Sequence, residues 1–183
     1  MPRYTAFLRA INVGGHIVKM TELKRIFETL GLSNVETFIA SGNVIFETRV
    51  TNTTSLEAKI EKALEKRLGY EVATFLRSDE ELKAIAEHEA FAAAEIATAS
   101  AHCVIFLSAA PDADGRKRIE ALSSDADAFH MNGRELYWLS RLKQSESKFS
   151  NALLERTLKQ RSTARGVNTV RKLAAKYPPK PAR

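Results

Sequence analysis

The order of periodicities along the first 77 residues constrains this chain more than any other feature. Apolar and β-branched alternation marks strands at 4–11, 34–41, 43–48 and 71–77. Between them, apolar residues recur three and four apart at Leu23, Ile26, Phe27 and Leu30, and again at Leu56, Ile60, Ala63 and Leu64, which predicts helices over 20–30 and 54–68. Thr21 and Thr54 mark the helix starts, and Gly31 and Gly69 fall where the helices should stop. This βαββαβ order is the ferredoxin-like unit. Right-handed crossovers make its first and third strands central neighbours, so the end of the first strand and the turn into the third share one rim of the sheet.

A less regular copy follows. The sequence predicts a strand at 103–108, a helix at 112–122, and a hairpin of 125–131 with 135–140 closed by a type I′ turn at Asn132-Gly133. A helix at 150–159, a short strand at 161–165 and a helix at 169–177 complete it. An acidic helix over 79–89 and an Ala-rich stretch from Phe91 to Ala101 join the copies, placing the boundary near residues 90–100. The expected fold class is therefore α+β, two ferredoxin-like halves packed together, residues 1–90 and 91–183. A chain of 183 residues is long enough for two small units that share a core.

Two polar-glycine segments sit where strands stop: Asn12-Val13-Gly14-Gly15 and Ser41-Gly42-Asn43. Glycine accepts positive φ and lets a ligand approach the backbone. Lys19 and the amides near Met20 lie at a helix start, where the dipole favours negative charge. Asn12, Ser41 and Asn43 carry oriented hydrogen-bonding groups. These residues make an anion site if the bends converge; otherwise they are a strand-to-helix turn and a hairpin. Neither a Walker loop nor G-x-G-x-x-G is present. Arg9, on an otherwise apolar strand face, needs a carboxylate such as Glu36 or Glu47, or a ligand anion, to offset burial.

The net charge of +6 is uneven. From Arg134 onward thirteen Lys and Arg face three Glu, whereas the first 133 residues hold fifteen basic and nineteen acidic side chains. A basic C-terminal third attracts phosphates and nucleic acid. Lys176, Lys180 and Arg183, among Pro178, Pro179 and Pro181, read as a solvated tail, while Lys148 and Arg165 lie in or beside structured elements.

The segments Arg9 to His16, Leu30-Gly31, Thr37 to Phe46, Ser147 to Phe149, Leu153 to Glu155, Thr163 to Arg165 and Asn168 to Val170 together resemble the bacterial family catalogued as domain of unknown function 1697. The resemblance spans nearly the whole chain and implies the two-part ferredoxin-like architecture, with no established activity. Ala10 stands where the family usually has glycine, and Gly166-Val167 replaces its polar-aromatic pair. Base stacking in that loop is therefore not supported, although Arg165, Asn168 and Thr169 remain as hydrogen-bonding groups.

Catalytic signals are sparse. His16, His88, His102 and His130 are scattered without metal-ligand spacing, so no metal or cofactor is implied. His16 follows the glycine pair and is the acid or base candidate; Ser41 is a nucleophile only if a base stands near. Cys103 lies in an apolar strand and reads as a small buried hydrophobe. Phe7 with Phe46 or Ile45 is similar to the stacking strands of RNA-recognition motifs, but the basic-glycine-aromatic run of those motifs is missing, which favours these side chains filling the interface between the two halves. Of Tyr137 and Trp138, alternation sends one inward and the other to the surface. No apolar run approaches the about 18 residues of a membrane span, and no leader-like pattern opens the chain, so the cytoplasm is the expected compartment. The expected partner is a phosphate-bearing ligand, a nucleotide or nucleic acid, in a cleft between the glycine loops and the basic C-terminal third. The alternatives are an enzyme acting on a small anionic substrate there, or a homodimer formed through open sheet edges.

Overall fold

The computed structural model describes residues 1–180 and divides the chain into two units, one of 1–83 with 176–180, the other of 84–175. The first unit runs β1 (Arg3–Leu8), α1 (Met20–Thr29), β2 (Ser33–Thr37), β3 (Asn43–Glu47), α2 (Thr53–Leu68) and β4 (Thr74–Ser78), followed by α3 (Asp79–Glu87), which leads into the second. Its antiparallel sheet has the order β2-β3-β1-β4, with β1 and β3 side by side as the ferredoxin-like topology requires.

Tyr4, Ala6 and Leu8 of β1 point to the helix side, where they pack with Leu23, Ile26 and Phe27 of α1 and Leu56, Ile60 and Leu64 of α2. Phe46 belongs to this same core, tilted against Phe27 with ring centroids 5.6 Å apart. It therefore does not share a face with Phe7. Phe7 and Ile45 are buried too.

Several boundaries differ from the sequence reading for local reasons. β1 ends at Leu8 and β2 at Thr37, because Ala10 (φ 60°) and Ile39 (φ 51°) leave extended conformation. The helix caps are Lys19 and Asn52, not Thr21 and Thr54; Asn52 accepts from the Ser55 N–H at 3.0 Å, while Lys19 offers no side-chain cap. Gly69 closes α2 in the left-handed conformation.

The second unit repeats the order with a short α4 (Ala93–Ala97), β5 (Ala101–Leu107), α5 (Ala113–Glu120), β6 (Asp127–Asn132), β7 (Glu135–Ser140), α6 (Asn151–Leu158), β8 (Ser162–Gly166) and α7 (Val167–Lys176). Its sheet order, β6-β7-β5-β8, matches the first. Asn132 pairs with Glu135, so the hairpin loop is Gly133-Arg134, with positive φ at Gly133 alone. That is the type II′ pattern rather than the expected type I′.

Tyr137 and Trp138 are both buried, contrary to the alternation argument. Trp138 packs with Cys103, Ile105 and Leu154 and donates from Nε1 to Asp127 at 2.9 Å. Tyr137 points to the other face and donates to the Ile85 carbonyl at 3.0 Å. The segment around Ile85 covers that face of the sheet.

The C-terminal segment is not a solvated tail. Tyr177 is buried and donates to Glu36 at 2.6 Å, Lys176 pairs with Glu36 at 3.5 Å, and Lys180 binds Glu47. Arg3 reaches the Pro178 carbonyl at 2.6 Å. Pro181 and Arg183 lie outside the described residues. Among the described residues, no helix is long and apolar enough to cross a membrane.

Candidate anion-binding rim

The loop from β1 to α1 and the turn from β2 to β3 meet at one rim of the first sheet. Asn12 joins them: its Nδ2 donates to the Ala40 carbonyl at 2.9 Å, and its Oδ1 accepts from the Val18 N–H at 2.7 Å. The Leu8 N–H donates to the Gly42 carbonyl at 2.8 Å. A side chain at Gly42 would place its Cβ 2.9 Å from that of Ile11, in a backbone with φ 77°. Gly42 is thus required by close packing. Asn43 is fully buried and donates from Nδ2 to the Phe38 carbonyl at 3.0 Å and to the Ser41 hydroxyl at 2.9 Å. Asn12, Gly42 and Asn43 therefore hold the rim together.

Gly14 and Gly15 are different. Both are exposed with positive φ, and a Cβ on either would meet nothing within 4 Å. Positive φ recurs at Ala10, Asn12 and Gly14, every second residue. Alternation of this kind turns successive N–H groups toward one side and builds an anion-binding concavity. Among the described residues, the N–H groups of Val13, Gly14 and Gly15 meet no protein acceptor. The loop then enters α1 at Lys19, which is exposed and leaves the first-turn amides uncapped.

Arg9 lies beyond the end of β1, half-buried, its N–H donating to the Ala73 carbonyl at 2.9 Å. Glu47 stands opposite Arg3, six residues back along the strand, or roughly 20 Å at strand spacing. Glu36 and Glu47 hold Tyr177, Lys176 and Lys180. The suggested Arg9–Glu47 pair is thus ruled out by register.

His16 is exposed and stacks on Tyr70, ring centroids 4.0 Å apart. Ser41 receives a bond from a carboxamide, which takes no proton, and among the described residues no hydrogen bond joins it to His16. The sequence reading missed the apolar character of the rim: Val13 is 62% exposed, Ile17 88% and Ile39 53%. A β-branched residue in the left-handed region, as at Ile39, is an outlier that costs backbone energy.

The remaining candidates belong to the second unit. Lys148 is exposed; Asn168 (exposed) and Thr169 (half-buried) begin α7. Arg165 is buried and donates to Thr163 Oγ1 at 2.9 Å and the Ala164 carbonyl at 2.8 Å; burial pushes its pKa down to about 10. Three histidines are not scattered: His88 stacks on His130 at 5.1 Å, and Phe91 packs edge-on to His102 and His130. His102 lies on β5 and His130 on β6, with β7 between them in the sheet, and His88 follows the end of α3. Among the described residues, no group of three His, Cys, Asp or Glu is placed to hold a metal ion. Burial pushes the Cys103 thiol up to about 11, which leaves it protonated and inert near neutrality.

A family model described as "Protein of unknown function (DUF1697)" matches residues 1–137. Among solved structures, the conserved bacterial protein SP0830 from Streptococcus pneumoniae is similar at 25% identity and a TM-score of 0.75, over 97% of this chain and 98% of that one. No curated protein matches the chain.

Proposed function

The chain belongs to the DUF1697 family of proteins of unknown function, and we propose that its first unit binds a phosphate-bearing ligand, a nucleotide or nucleic acid end, at the rim between residues 9–19 and 38–43. The supporting observation is the Asn12 clasp beside the open N–H groups of Val13, Gly14 and Gly15. The clasp fixes the loop before a ligand arrives, so little ordering entropy opposes binding. The phosphate meets the amides, Lys19 and the start of α1. Exposed Val13, Ile17 and Ile39 give a sugar or base an apolar surface. A cytoplasmic setting suits such a ligand.

Binding is favoured over catalysis because Ser41 lacks a base and His16 is held by a ring stack. The test is a thermal-shift and calorimetric screen with inorganic phosphate, mononucleotides and short RNA and DNA, since a ligand that binds only the folded state raises the melting temperature. Saturable binding of phosphate or a mononucleotide that Gly15→Val abolishes, with the fold retained, is the expected result. Phosphate or mononucleotide binding unaffected by Gly15→Val would refute the assignment, as would a screen in which neither phosphate nor any mononucleotide shifts the melting temperature.

A further inference from the structure

The first unit carries a second feature, separate from the loop amides. A groove of about 1020 Å³ runs between α1 and α2, lined by Lys19, Arg25, Lys59, Lys62, Lys66 and Arg67 with Glu22 as the one carboxylate of the lining. Its floor is Ile26 and Ala63. Glu22 is taken by Arg67 at 3.0 Å. Among the described residues, Lys19, Arg25, Lys62 and Lys66 meet no carboxylate. Lys59, Lys62 and Lys66 stand three and four residues apart on one face of α2, where like charges destabilise a helix. The opposite face carries Glu57 and Glu61, turned to the main chain of β4. Charge on α2 is therefore sorted by face, at a cost in self-repulsion that a bound polyanion would relieve.

We infer that this groove binds the phosphate backbone of a nucleic acid without reading its base sequence. Lys59 to Lys66 spans seven residues, about 10 Å at helical rise, which faces about three successive phosphates of one duplex strand. A single phosphate reaches only part of such a row. Among the described residues, no aromatic side chain lines the groove, so it offers no stacking platform for splayed bases. What it offers is charge, and backbone contacts position without specifying sequence. The groove meets the rim only at Lys19, so the two sites are separable by mutation.

The experiment is fluorescence anisotropy of the full chain with a labelled mixed-sequence duplex, titrated over a range of salt. Engagement of four or five cations predicts a slope of log affinity against log salt of about −3.6 to −4.5. The pair K62E/K66E should weaken binding by at least about tenfold and flatten the slope by about two. K117E/K143E, an equal charge change at exposed sites of the second unit, should leave affinity within about twofold, because in the groove reading these lysines touch no phosphate. R25Q/K66Q serves if the double reversal fails to fold. Gly15→Val should keep duplex binding, which separates this proposal from the rim. Equal losses in the groove and control pairs would overturn it, as would a slope unchanged by K62E/K66E, no duplex binding at low salt, or tighter binding of inorganic polyphosphate at equal phosphate concentration.

Discussion

The carboxylate of Glu61 accepts a 2.8 Å hydrogen bond from the main-chain N–H of Thr74, so a helix side chain caps the outer edge of strand β4. One turn earlier, Glu57 does the same for Leu76 at 2.8 Å. Spacing of four on a helix matches spacing of two on a strand, so both carboxylates reach alternate N–H groups. The second unit repeats the device at its equivalent edge, where Glu155 accepts from Ser162 at 2.9 Å. An edge with satisfied donors is a poor template for another chain.

Removing this cap should therefore have two effects. The double variant E57A/E61A should lose about 1–3 kcal/mol of stability for each buried N–H left without an acceptor, and the freed edge should drive concentration-dependent association. E57Q/E61Q keeps the acceptors and should remain monomer-like relative to the alanine variant. Denaturant titration and sedimentation velocity check both effects; an alanine variant as stable and as dispersed as the parent would refute the capping role.

Gly42 and Gly14 both have positive φ, yet they should respond differently to alanine. At Gly14 only the left-handed backbone opposes a side chain, a cost of about 1–2 kcal/mol. At Gly42 the new methyl also meets Ile11 and Leu8 within 2.9–3.2 Å, adding about 1–3 kcal/mol of overpacking. Chemical denaturation of the two variants should rank Gly42→Ala clearly below Gly14→Ala. Equal stabilities would mean that the rim relaxes around position 42.

Acid should release the C-terminal segment from the first unit. The Tyr177 hydroxyl bond, with Lys176 adding to it, holds the Glu36 carboxyl below its usual range, and the Lys180 bond does the same for Glu47. For a carboxylate depressed in the folded state, the stabilisation is complete above the unfolded pKa of about 4.5 and is lost as pH falls through the lower folded value. Amide exchange at Tyr177 and Lys180 should therefore accelerate below that range, after correction for the intrinsic rate. Glu36→Gln should weaken the docking of Tyr177 already at neutral pH and flatten its acid dependence.

The strand order and the meeting of the two bends were legible because each depends on local periodicity and crossover handedness alone. The basic groove was not. Summed over the first 133 residues, Glu57, Glu61 and Glu65 cancel Lys59, Lys62 and Lys66, although the helix turns Glu57 and Glu61 away from the lysine face. Spacing of three and four among the lysines was the available signal. Docking of Tyr177 was hidden by the prolines around it, which exclude a helix without excluding a packed segment. The hairpin loop was displaced by one residue because Asn132 extends β6, leaving Gly133 as the first loop position. The histidine cluster needs strand pairing: Tyr137 stands beside His130 in register, and β5 brings His102 to the same sheet.

That cluster should make the second unit sensitive to mild acid. Burial pushes His102 down, with Arg171 adding to the effect, and burial pushes His130 down with His88 beside it. Among the described residues, the buried Nε2 atoms of His88 and His102 have no hydrogen-bond partner. A histidine depressed in the folded state binds fewer protons than its unfolded counterpart between the folded pKa and the unfolded value of about 6.5, so stability falls as pH drops through that window and rises with pH across it. Above the window the contribution is flat. Thermal melts should thus show a lower melting temperature at pH 5.5 than at pH 7.5, and H102Q/H130Q, which cannot take up the proton, should shrink the difference. If the double variant keeps the full pH dependence of the parent, the acid response comes from carboxylates elsewhere and the half-buried imidazoles do not control it.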